Sequence, residues 1–201
     1  LLGNNTAMKD LNEMFRVRGA SKPLKRGRVL ISEPFLQDGV FHRSLVLLTE
    51  YSAEGAIGFV LNKPLDVAIH QLVDGFPHCD AAVCLGGPVS PERLHYLHRI
   101  PGVEDAIEVK KGLWWGGQLK CIREGIESGS IHSDQIRFFL GYSGWSPGQL
   151  EEELGRNAWV VGDMNAAVVL SVSPGGWNEM VRSLGDAFRS WHIVPENPHW
   201  N

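Results

Sequence analysis

The chain has 201 residues, 43% of them hydrophobic and 21% charged, with a formal charge of −4. That balance suits one globular domain and excludes a disordered or collagen-like chain, and no apolar run approaches the ~20 residues of a membrane-spanning helix. Cys79, Cys84 and Cys121 are too few and too irregularly spaced for a disulfide framework, and the first residues carry no secretory pattern, so a cytoplasmic, membrane-free location is expected.

In chain order, Met8, Leu11, Met14 and Phe15 recur at helical spacing and predict a short amphipathic helix. A basic connector follows, carrying Arg16, Arg18, Lys22, Lys25, Arg26 and Arg28 among Gly and Pro that make a poor helix. Residues 1–28 hold seven Lys/Arg against two Asp/Glu, and the remainder 12 against 21, so a basic arm precedes an acidic body. Such an arm can follow a phosphate backbone or an acidic surface; its plainer reading is a solvated connector paired with the protein's own acidic face. The boundaries read as residues 1–27 for helix and connector, 28–194 for the domain, and 195–201 for an extended, Pro-punctuated tail.

Residues 28–32 read as the first strand, and 44–50 and 56–61 as a hairpin around Tyr51-Ser52-Ala53-Glu54-Gly55. Residues 67–73 suggest a helical turn or two. Ala82-Val83-Cys84-Leu85 reads as a buried strand entering Gly86-Gly87-Pro88, where the chain reverses. Residues 93–99 follow, of which 94–97 resemble a strand, then a strand at 106–110 and a helix presenting Trp115, Leu119, Ile122 and Ile126. Residues 134–140 predict a largely buried strand running through an aromatic turn, Gly141-Tyr142-Ser143-Gly144-Trp145, into a helix. Ser146 is its expected cap, Pro147 its first residue, and Gln149 the far side of a capping box. Residues 159–161 and 166–172 read as further strands, and Trp177, Met180, Val181, Leu184, Phe188 and Trp191 as one closing helix. Locally pairing strands among scattered helices indicate an α+β fold in a single domain.

Several blocks together resemble the YqgE/AlgH family: residues 32–38, 41–48, 58–64, Gly86-Gly87-Pro88-Val89 and Gly141-Tyr142-Ser143-Gly144-Trp145. They run in order through most of the chain. The resemblance implies a bacterial cytoplasmic protein in which a small closed β-barrel and sheet are surrounded by helices. It also implies an association with transcriptional regulation, and it brings no catalytic residues.

Ser143 sits between strand and helix as a hydrolase nucleophile would, but Trp145 occupies the position that needs a small residue. His95 and His98 separate if their segment is a strand, which speaks against a metal pair. Cys84 reads as inert core, and Cys121, beside Lys120 and Arg123, as a thiol open to oxidation. Gly86-Gly87 lacks the features of a nucleotide loop. No catalytic, cofactor or metal site is therefore expected. Arg43, Asn62, Lys63, Gly86, Gly87, Tyr142, Trp145 and Gln149 are the candidate binding surface, because aromatic and Arg side chains anchor interfaces. Arg16, Arg18, Lys22, Lys25, Arg26 and Arg28 are the candidate anion-contacting arm. A binding or regulatory protein with a protein partner is the leading expectation, with nucleic acid reached through the arm. The competing class is an enzyme with a small-molecule pocket near the Gly86-Gly87 and Gly141–Trp145 turns.

Overall fold

The computed structural model describes residues 22–36 and 39–194; the expected helix over 6–15, Arg16, Arg18, the Gln37-Asp38 turn and the tail 195–201 lie outside the described residues. The described strands are β1 (Val29–Ser32), β2 (Leu45–Ser52), β3 (Gly55–Val60), β4 (Val83–Leu85), β5 (Val89–His98), β6 (Ile107–Lys110), β7 (Leu113–Trp115), β8 (Ile136–Trp145) and β9 (Trp159–Gly162). They form one sheet in the order β6-β7-β5-β8-β3-β2-β1-β9, with β4 also on β8. Every pairing is antiparallel except β4 with β8. The described α-helices are α1 (Ile69–Leu72), α2 (Leu119–Glu127), α3 (Gln149–Gly155), α4 (Ala166–Ser171), α5 (Gly176–Ser183) and α6 (Arg189–Ile193). None of them is long and apolar enough to cross a membrane.

The central strands β1, β2, β3, β8 and β9 are largely buried on both faces, so successive residues enter different clusters. Leu45, Leu47, Phe59 and Phe139 pack with Trp177, Val181 and Trp191 of α5 and α6. Phe138, one residue along β8, packs instead with Ile69 of α1, Phe76 and Ile122 of α2. Val46 and Leu48 join Trp145, Leu150 of α3 and Trp159. These two-sided apolar strands are the α+β single domain that the sequence predicts.

The closed barrel is corrected: β6 and β9, the two ends of the strand order, share no ladder, and the sheet is open. The segment entering β1 lies in the seam between them. Gly27 donates its N–H to the Leu48 carbonyl at 2.8 Å, and a Cβ at Gly27 would stand 3.0 Å from the Val109 carbonyl. Side chains rather than backbone bonds bridge what remains of the gap.

Other expectations also change. β8 does not turn at Gly141; it bends there, at φ +67°, and continues to Trp145 by pairing with β3. Residues 166–172 form helix α4 because the Asn165 side chain accepts from the Val168 N–H at 2.9 Å, a cap that outweighs the β-branched content. Trp115 belongs to β7, opposite Leu97, and not to the following helix. The closing helix is broken at Gly185, whose φ of +92° starts a 3-10 turn, Asp186–Phe188, before α6.

Candidate functional site

The expected binding surface divides into two places. Arg43, Asn62 and Lys63 come together in a cleft of about 550 Å3 whose walls include His42, Trp177 and Asn178. Arg43 is a non-glycine residue at φ +46°, an uncommon conformation that needs outside support. Asn62, 3% exposed, supplies it: its amide accepts from the Leu45 N–H and donates to the Arg43 carbonyl, both at 2.9 Å. Lys63 Nζ donates to the His42 carbonyl at 2.9 Å, so the end of β3 holds the whole 42–45 turn.

That turn presents the Arg43 guanidinium to Trp177, 5.0 Å from the ring centroid, and its Nη2 donates to the Val194 carbonyl. Trp177 is anchored in turn by its Nε1, which donates to the Ser32 carbonyl at 3.0 Å, and by a parallel stack on Trp191. The cleft thus has a cationic, planar head on an aromatic plate, gripping a main-chain carbonyl. Arg43, Asn62 and Lys63 were legible from the sequence as polar residues at strand ends. Trp177 was read only as part of the closing helix, because nothing local in a helix pattern marks the residue that faces an arginine.

Gly86 and Gly87 belong to neither cleft. There the chain passes from one side of β8 to the other, crossing it at Gly141-Tyr142, and a Cβ at either glycine would collide with the β8 backbone. Their role is close approach. Tyr142 and Trp145 line a second cleft, of about 440 Å3, with Glu50 and Glu54. Trp145 and Trp159 both donate from Nε1 to Glu153 Oε2, at 2.9 and 2.7 Å. Gln149 Oε1 accepts from the Ser146 N–H at 3.0 Å, which is the expected half of a capping box, but α3 begins two residues late, after Gly148 at φ +79°.

Ser143 is fully buried and its hydroxyl donates to the Gly86 carbonyl at 3.1 Å, so it braces the crossing. His95 and His98 do separate. His95 sits among Phe59, Trp115 and Tyr142, and burial, with Arg93 nearby, lowers its pKa. His98 is wholly buried beside Trp114; Nε2 donates to the Gly116 carbonyl at 3.0 Å and Nδ1 accepts from the Ile100 N–H at 3.3 Å. That pair of partners suits the neutral ring, and burial lowers its pKa. Cys84 is buried, and burial raises its pKa against the pull of Arg137. Lys120 and Arg123 pair with Glu124 and Glu127 along α2. Among the described residues no group of three or more His, Cys, Asp or Glu is placed to hold a metal ion.

Of the arm, Lys22, Lys25, Arg26 and Arg28 are described, and the segment's backbone is tied to the sheet at Lys22, Gly27 and Arg28. Lys22 donates its backbone N–H to the Val161 carbonyl at 3.1 Å. Asp163, just after β9, receives Arg28 Nη1 at 2.5 Å and Lys110 Nζ at 2.7 Å, with Lys22 Nζ at 3.9 Å. Burial alone would raise the Asp163 carboxyl; the hydrogen bond and charge of Lys110, with Arg28, outweigh it and hold the pKa below the usual value. Part of the arm therefore pairs with the body's own acid, as the plainer reading expects. Lys110 and Asp163 had no local signal in the sequence, since they meet only across the seam.

Fold and clefts define a single-domain α+β protein with an open, helix-covered sheet and a cation-lined cleft at one end of its central hairpin. The AlgH-like family, DUF179, matches residues 29–189. The chain belongs to that family. It is 38% identical to a UPF0301 protein of Parabacteroides distasonis over 180 residues, 88% of this chain and 91% of that one. A UPF0301 protein of Bacteroides thetaiotaomicron is 34% identical over 192 residues, 94% of this chain and 98% of that one. The solution structure of the AlgH protein from Pseudomonas aeruginosa superposes with a TM-score of 0.68 at 25% identity, covering 87% of this chain and 97% of that one. A crystal structure of a Corynebacterium diphtheriae protein reaches a TM-score of 0.74 at 22% identity, covering 90% and 97%.

Proposed function

We propose that this is a binding protein, not a catalyst, and that it takes an acidic, extended protein segment in the Arg43–Lys63 cleft. Any regulatory action is then exerted by that capture. The carrying observation is Arg43: it adopts a costly backbone conformation, secured by both amide atoms of Asn62, whose effect is to set a guanidinium over Trp177 and against the carbonyl of Val194, a residue in extended conformation. Arg and Trp are the side chains that most often dominate protein interfaces, and extended segments offer carbonyls of the kind Val194 presents. The enzyme alternative would have to use the second cleft, beside Tyr142 and Trp145, because Gly86, Gly87 and Ser143 are themselves occupied by backbone contact.

The test is calorimetric titration with capped hexapeptides, one rich in glutamate and one rich in lysine, at about 20 mM salt, where surface charge is least screened. The acidic peptide is expected to bind, and Lys63→Glu to weaken it at least tenfold with an unchanged circular dichroism spectrum. Equal binding of both peptides, or of peptide to both proteins, refutes the reading. Nucleic acid, the other partner that the arm suggests, would meet a different surface, the seam between the sheet edges.

A further inference from the structure

The seam is a cavity of about 250 Å3 lined by Lys25, Arg26, Gly27, Arg28, Val109, Lys110 and Asp163. Four of these seven residues are cationic, Lys22 lies within 3.9 Å of Asp163, and Asp163 is the one carboxylate among the lining residues. Lys25 and Arg26 are exposed at its mouth. Arg28 spends Nη1 on Asp163, and its buried Nε–H has no partner. The backbone that carries these cations is pinned by the bonds of Lys22 to Val161 and Gly27 to Leu48, so the positions from which they reach the seam are set before any ligand arrives. A fixed cluster of cations around one internal carboxylate is over-supplied with positive charge, and it favours a small group bearing two negative charges. The volume is enough to admit one such group.

We propose that the seam is a phosphate-binding site, in which Asp163 holds part of the place of an incoming phosphate that Lys25, Arg26, Arg28 and Lys110 surround. The phosphate is either free, as a phosphorylated small molecule, or part of a nucleic-acid backbone; the chemistry of recognition is shared. The site shares no residue with the Arg43 cleft, so either assignment can fail without the other.

The test measures binding to the full chain of pyrophosphate and of a short single-stranded and a short duplex DNA, each at about 20 and about 200 mM NaCl. Lys25→Ala/Arg26→Ala removes two exposed cations and is expected to lower phosphate affinity tenfold or more and, for DNA, to reduce the salt slope by about two. Asp163→Asn removes the internal competitor and is expected to tighten binding roughly fivefold at low salt, with folding checked by circular dichroism. DNA binding that pyrophosphate displaces identifies a nucleic-acid backbone as the source, and pyrophosphate binding without DNA binding identifies a free phosphate. Absence of binding by every phosphate species at low salt overturns the proposal. So does binding that the double variant leaves unchanged, or capture of a glutamate peptide at the seam in place of phosphate. If Asp163→Asn stays folded and binds no tighter, the place-holding role of Asp163 is overturned.

Discussion

Replacing Arg137 by methionine would cut the tie between β3 and α4. Arg137 lies on β8 opposite Leu97 and is 6% exposed; Nη1 donates to the Leu61 carbonyl at 2.8 Å and Nη2 to the Val172 carbonyl at 3.0 Å, at the C-terminal end of α4. Its partners are thus carbonyls rather than a carboxylate, and its Nε–H is buried without a partner. Hydrogen bonds to a charged donor contribute about 1.5–3 kcal/mol each, so the two together contribute about 3–6 kcal/mol. Methionine recovers part of this, because the desolvation of the cation and its orphaned N–H is relieved. The expected net loss is about 3 kcal/mol, which for a chain of this size lowers Tm by about 6–12 °C. Arg137→Lys keeps the charge but has a single donor head, and should lose roughly half as much. Thermal and urea unfolding followed by circular dichroism measure both variants. A methionine variant as stable as the parent would refute the reasoning, by showing that desolvation of the buried cation outweighs its bonds.

Asn62→Ala removes two buried hydrogen bonds and frees the Arg43 turn, and should cost about 2–4 kcal/mol in urea unfolding; a loss under ~0.5 kcal/mol would show that Arg43 needs no such support. Gly86→Ala pushes a methyl into the Gly141 carbonyl and should lower expression and cost about 3 kcal/mol or more, whereas Gly112→Ala, with open space, is expected to cost less, only its positive φ being strained. His95 and His98 have folded pKa values below the usual 6.5, so the unfolded chain binds more protons as pH falls past 6.5. Their contribution to stability is therefore complete above pH 6.5 and is lost as pH falls through the depressed folded values. Glu33, raised by burial, opposes this, so the test is the difference between parent and His98→Gln: the parent should lose more stability between about pH 7.5 and 5.5, and parallel profiles would contradict the assignment.

Much of the fold was legible locally. The continuous apolar runs marked β1, β2, β3, β4 and β9, and the Tyr51–Gly55 turn marked the hairpin, because buried strands and tight turns are written in neighbouring residues. Arg43, Asn62 and Lys63 were legible as a polar group for the same reason, two flanking turns of one hairpin unit. Residues 166–172 were misread, since Val and Leu in a short run serve a buried helix as well as a strand and only the Asn165 cap, once docked, decides between them.

What the sequence by itself determined was the run of buried apolar strands, the single domain and the family blocks that place it. Tertiary structure alone decided the rest. Whether Gly141 reverses a strand or merely bends it depends on β3 offering a free edge to Ser143–Trp145. Whether the sheet closes depends on residues 25–28 occupying the seam before β6 and β9 can meet. Trp177 becomes the plate under Arg43, and Asp163 the centre of three cations, through contacts 134 and up to 141 residues apart in the chain, where no spacing in the sequence records them.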